Sequence, residues 1–170
     1  MASLAEDLIT EMKEEKELYD KLYELSSKKR ETIIHQQLEE MESLVNQEQD
    51  VASELKNLEN KRVRTLKYMS SVLGQDRVTL TVSQIIKLLN KHPEERSAIK
   101  QAKDELVRSA EKMQLMNQQN QILLQQAIEM TNFDMQLIKS MTGAPETANY
   151  HKDAYNTGDI LPSSGFDTKQ

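Results

Sequence analysis

A long apolar stripe between Ile99 and Met141 constrains this chain more than any other feature of its sequence. Its members recur at alternating intervals of three and four residues, the spacing of a helix whose seam faces other helices. No proline or glycine interrupts this run, which as a helix would be about 60 Å long. Its seam therefore requires other helices to cover it. The positions are Ile99, Ala102, Leu106, Ser109, Met113, Met116, Asn120, Leu123, Ala127, Met130, Asp134, Leu137 and Met141.

The composition supports an all-α fold. Glu, Gln, Lys, Leu and Met are abundant, aromatic residues make up 4% of the chain and tryptophan is absent. These are helix formers, whereas sheets favour β-branched and aromatic residues. With 170 residues, the chain is expected to form one domain. We predict an elongated antiparallel three-helix bundle or coiled coil, with a short fourth helix and a disordered C-terminal tail.

Local signals divide the predicted bundle domain, residues 1–142, into four helices. A capping-box spacing begins the first helix at Ser3, Gly74 follows the second, and Pro93 opens the last. The joint between the first two helices has no glycine or proline. It is placed near residues 34–36 only because the phase of the apolar stripe slips there. The predicted helices span about 3–34, 36–73, 81–90 and 93–142.

Residues 143–170 are predicted to form a flexible tail because they are rich in glycine, proline and small polar residues. Isolated apolar residues interrupt this polar segment. They are either incidental, folding back on the bundle, or part of a short linear motif, and the sequence leaves both interpretations open. They are Tyr150, Tyr155, Ile160, Leu161 and Phe166.

Several classes of function are disfavoured. The net charge is −6, and the one dense basic cluster, Lys28-Lys29-Arg30, lies among acidic residues, so we predict no nucleic-acid binding. There are no cysteines for disulfides or thiolate metal sites. The start does not resemble a signal peptide, and no apolar run reaches the length of a membrane span. We therefore expect a cytoplasmic protein without membrane insertion.

Catalytic motifs are also missing from the sequence. The three histidines, His35, His92 and His151, fall in separate predicted segments, and no Glu-x-x-His pair occurs. There is no phosphate-binding loop and no zinc-ligand spacing. We predict that the chain is not an enzyme and carries no metal or cofactor.

Polar residues lie on the otherwise apolar stripes. We predict that Arg62 pairs with an acidic residue of the seam, since a buried ion needs a partner. Beyond about Asn120, apolar residues of the last helix occupy more than one face, which indicates a surface that something else covers. Methionines are frequent there, and such residues serve either in cores or on adaptable binding surfaces.

The order of these parts resembles the FlgN family of flagellar type III export chaperones. The resemblance covers essentially the whole chain, including a short apolar segment after Thr79-Leu80-Thr81. The motifs that carry it are Leu55-x-x-Leu58-Glu59-x-x-Arg62, Asn117-x-x-Asn120-x-x-Leu123-Leu124, and a tail Tyr155-Asn156-Thr157-Gly158 similar to the Tyr-x-x-Gly of family members.

This resemblance implies a chaperone for the hook-filament junction proteins, hook-associated proteins one and three. It would bind their C-terminal helical segments and keep them unpolymerised until export. A tail tyrosine would dock to the cytoplasmic domain of the export gate, with Tyr155 as the first candidate and Tyr150 as the second. Client binding would fall on the end of the long helix. The predicted client-binding residues are Ile122, Leu123, Leu124, Ile128, Met130, Met135, Leu137, Ile138 and Met141.

Two other interpretations of the function remain open from the sequence. A structural coiled-coil protein could self-assemble through the same stripe, and a helical-bundle enzyme would require a bound metal. Within the chaperone interpretation, the protein could also form a homo-oligomer.

Overall fold

A computed structural model describes residues 2–75 and 77–142 of the chain, and every regular element in those ranges is an α-helix. This confirms the predicted all-α class. The predicted tail, 143–170, lies outside the described residues. The chain forms two compact units, Met1–Ala127 and a second that begins at Ile128. The helices are α1 (Ala2–Ile34), α2 (Leu38–Val72), α3 (Val82–Leu88) and α4 (Pro93–Thr142).

The turn between α1 and α2 is closed by Gln36, which has a φ of 56°. The Gln37 N–H donates to the Thr32 carbonyl at 2.9 Å, and the Gln36 N–H donates to the Ile33 carbonyl at 3.3 Å. These are the two hydrogen bonds of a Schellman motif, in which glycine usually holds the left-handed position. Glutamine holds it here at a cost of about 1–2 kcal/mol, so the sequence shows no glycine at this turn.

The end of α2 uses the same motif with the expected residue. Gly74 has a φ of 76°, and the Gln75 N–H donates to the Ser70 carbonyl at 2.8 Å. The Ser70 hydroxyl also accepts the backbone N–H of Leu80 at 2.8 Å, which ties the following connector to α2. Gly74 therefore ends the helix for the reason that the sequence indicated.

A capping box starts α3. The Gln84 N–H donates to the Thr81 hydroxyl, and the Thr81 N–H donates to the Gln84 side-chain oxygen at 2.8 Å. Within this short segment, Ile85 and Leu89 are fully buried. They join a core cluster with residues of the other three helices, so α3 covers the end of the bundle where α1 begins.

Polar contacts establish the direction of the long helices. On the facing sides of α1 and α2, Glu11 contacts Thr65 and Glu15 contacts Arg62, while Lys29 and Ser26 further along α1 both contact Glu48. Residue numbers fall on α2 as they rise on α1, so these two helices are antiparallel. In the first unit α4 runs parallel to α1. The contacts that show this are Ser109 to Asp20 and Asn120 to the Ser26 carbonyl, each at 2.8 Å.

Two apolar clusters form the core of the first unit. The larger includes Leu8, Met12, Met69 and Ile99, all fully buried, together with the α3 residues already described. The smaller lies further along α1, beside the first half of α2, and contains Leu22, Leu25, Val51 and Leu55.

Two buried polar pairs join α1 to α2 beside these clusters. Glu15 is 1% exposed, and its carboxylate accepts a hydrogen bond from Arg62 Nε at 2.6 Å. Arg62 thus has an acidic seam partner, as the sequence predicts, although the sequence does not identify that partner as Glu15. Glu11 is 2% exposed and accepts a hydrogen bond from Thr65 at 2.9 Å. Burial raises the pKa of both glutamates, against the opposing effects of Arg62 on Glu15 and of Thr65 on Glu11. A carboxyl group whose pKa is higher in the folded chain costs stability as pH rises from its unfolded pKa through its folded one.

We expect Arg62→Ala to lower the free energy of unfolding at pH 7 by about 3 kcal/mol, because it leaves the buried Glu15 carboxylate without its cation. At pH 4 the loss should be smaller, because Glu15 is then protonated in the folded chain of the variant. Urea unfolding followed by circular dichroism at both pH values measures this. The control is Lys56→Ala, which removes the exposed pair with Glu59 and should cost less than about 1 kcal/mol. If the two variants lose equal free energy of unfolding, or if the loss for Arg62→Ala grows at pH 4, Arg62 is not the cation that stabilises the buried Glu15 carboxylate.

Candidate protein-binding face of the fourth helix

Burial along the apolar stripe of α4 ends at Asn120. Before that point, Ile99, Ala102, Leu106 and Met116 are all buried, as is Asn120 itself. From position 121 to 142 no described side chain of α4 is buried, although the apolar period continues. The stripe thus changes from a packed seam to an exposed one near Asn120, the position beyond which the sequence shows apolar residues on more than one face.

In the second unit, every predicted client-binding residue is exposed. The exposed fractions range from 47% at Ile128 to 76% at Met141. These six residues are called the α4 apolar face below. They are Ile128, Met130, Met135, Leu137, Ile138 and Met141.

The α4 apolar face occupies one half of the helix. At about 100° per residue, its six members fall within an arc of about 180°. The opposite half is mostly polar and contains Glu129, Asn132, Gln136, Lys139 and Ser140. Such a two-sided helix can lay its apolar half against an apolar surface of another protein while its polar half stays in water.

One charged residue, Asp134, lies inside the α4 apolar face. The same helical geometry places it about 40° from Ile138 around the helix axis. From its place on the apolar stripe, Asp134 is expected to be a polar residue of the bundle seam, whereas the structure leaves it exposed in the second unit. The apolar period alone could not show this, because it runs unchanged through both buried and exposed parts of the stripe.

The remaining predicted site residues fall into two groups. Leu123 is half-buried, and Ile122 and Leu124 are exposed; all three belong to the first unit. Tyr150 and Tyr155, the predicted docking residues, lie outside the described residues. Phe133 was not predicted as a site residue, yet it is 64% exposed on the edge of the polar half of α4.

The described residues offer little for other chemistry. Among their side chains, no three His, Asp or Glu residues are grouped so as to hold a metal ion. None of the four helices, over the ranges described, is long and apolar enough to cross a membrane. Between residues 128 and 141, α4 presents exposed apolar side chains with one embedded carboxylate, that of Asp134.

Comparison with known proteins identifies one family. The sequence model for FlgN, described as FlgN protein, matches residues 1–157, which includes all of the described helices. No curated protein and no solved structure matches the chain significantly.

Proposed function

Because the chain belongs to the FlgN family of flagellar export chaperones, and so has a general chaperone role, we propose that its clients are the hook-filament junction proteins, hook-associated proteins one and three. In this proposal the protein acts in the cytoplasm. It covers a segment of each client that would otherwise assemble too early, and it delivers the client to the export gate.

The exposed α4 apolar face is the observation that carries this proposal. Covering one large apolar side chain contributes about 1.5–3 kcal/mol of favourable binding free energy. Six such side chains together contribute on the order of 10 kcal/mol before the unfavourable terms of binding are subtracted. Lost translational freedom and the ordering of a client segment offset much of this. A modest net affinity suits a chaperone, because the client must be released again at the gate.

We propose that the client contributes an amphipathic terminal helix. Its apolar side would pack along α4 with anchors spaced three and four residues apart, as helices do when they recognise one another. The flexible thioethers of Met130, Met135 and Met141 can adjust to side chains of different shape. That adaptability supports one surface serving two clients. Leu123, Leu124 and Ile122 belong to the proposed site as the sequence predicts.

Docking to the export gate is assigned in this proposal to the segment after α4. Tyr155 is the first candidate and Tyr150 the second. Both follow the α4 apolar face closely in sequence, so one end of the chain would carry client and gate recognition.

We expect the triple variant Ile128→Ser, Met135→Ser and Ile138→Ser to bind purified hook-associated proteins one and three at least about 100-fold more weakly. Three exposed apolar anchors are lost, and each contributes more than about 1 kcal/mol when covered. Isothermal titration calorimetry measures the affinity, and circular dichroism reports whether the helices remain.

The matched control is a second triple variant on α2, Val63→Ser, Tyr68→Ser and Val72→Ser, which also replaces three exposed apolar residues. It should bind clients as the parent chain does. If the α4 variant stays folded and binds its clients normally, the proposed client site is wrong. If light scattering shows that the parent chain forms rods or fibres as its concentration rises, and the α4 variant does not, the self-assembling coiled-coil alternative is favoured instead.

We expect a chain ending at Thr142 to keep the melting temperature and client affinity of the full chain, and to lose binding to the cytoplasmic domain of the export gate. Among the described residues, the members of the core clusters all lie at or before Met113, so the truncation keeps every cluster residue named above. Tyr155→Ala and Tyr150→Ala in the full chain test the two tyrosines separately. A truncated chain that unfolds, or that still binds the gate domain, would contradict this part of the proposal.

A further inference from the structure

The carboxylate of Asp134 has no cation within reach on its own helix. On a helical surface, side chains interact with those three and four positions away. The nearest cation along the chain, Lys139, lies on the polar half. The residues three and four positions from Asp134 are Met130, Thr131, Leu137 and Ile138.

A partner that covers the α4 apolar face also removes water from Asp134. An ionised carboxylate taken out of water without compensation costs several kcal/mol, which is comparable to what two or three apolar contacts contribute. A lysine or arginine placed opposite the carboxylate offsets this cost and favours one register of the partner. The embedded charge thus selects among apolar helices by the cation that they carry.

A second copy of this chain does not meet that requirement. In a parallel pair the two Asp134 residues face each other. In an antiparallel pair centred on residues 128–141 they meet again, because Asp134 lies at the middle of that range. Lys139 lies on the opposite half and does not neutralise them. Both of these symmetric arrangements bring like charges together in an apolar contact, which favours another protein as the occupant.

We propose that the α4 apolar face takes an amphipathic helix of another protein that carries one lysine or arginine within its apolar side, and that this cation pairs with Asp134. The inference rests on the proposed chaperone function and adds to it a rule for recognising the bound segment. The segment is apolar along one side except for a single basic residue, which lies near the middle of the contact.

The test measures binding of purified hook-associated proteins one and three to the full-length chain. Asp134→Lys should weaken binding at least about tenfold, because it places a cation opposite a cation. The matched control, Glu129→Lys, makes the same change in net charge on the polar half of α4 and should change affinity less than about twofold. The lysines and arginines in the terminal helix of each client are then changed to glutamate one at a time. One such change should restore binding to the Asp134→Lys variant and weaken binding to the parent chain.

The outcomes separate this inference from the proposed function. If Asp134→Lys binds as the parent chain does while the Ile128, Met135 and Ile138 variant does not, the client site stands and the pairing is wrong. Equal weakening by Asp134→Lys and Glu129→Lys also overturns the pairing, because it indicates a general effect of charge. Self-association of the parent chain that the triple variant abolishes identifies a second copy as the occupant and overturns the inference. If the parent chain binds neither client, the proposed function fails as well.

Discussion

The structure depends on a mismatch in helix length. α4 has 50 residues, whereas α1 and α2 have 33 and 35. At equal rise per residue, α1 and α2 are each only about two thirds as long as α4, yet the apolar period of α4 runs to its end. Burial stops at Asn120, and the apolar residues that follow remain exposed. In the proposed function, a client helix covers these exposed residues, which is consistent with membership of a family of export chaperones.

The first unit combines apolar packing with buried polar pairs that are costly in themselves. Glu11 and Glu15 both have raised pKa values because of burial, so they do not maximise stability at neutral pH. What they add is direction, because Arg62 meets Glu15 only when α1 and α2 pair in one antiparallel register. Asn120 contributes in the same way by donating to the Ser26 carbonyl at the last buried position of α4. Polar seam residues of this kind are known to select register and orientation in coiled coils at some cost in stability.

Much of this fold could be predicted from the sequence because helical periodicity, capping boxes and Gly74 are local signals. The turn after α1 shows the limit of such signals, because Gln36 takes a backbone conformation that usually requires glycine. The sequence could predict that Arg62 has an acidic partner, but identifying that partner as Glu15 required the register between α1 and α2. For the candidate site, spacing showed an excess of apolar residues after Asn120. It could not show that Asp134 lies on the exposed side, because exposure depends on how far the other helices extend.

Amide hydrogen exchange along α4, with and without a bound hook-associated protein, tests the central claim most directly. In the free chain, amides before Asn120 should already be protected by the packed core. Binding should slow exchange mainly between residues 128 and 141, where the client covers the α4 apolar face. Slower exchange confined to α1 and α2, with no change between residues 128 and 141, would contradict the account.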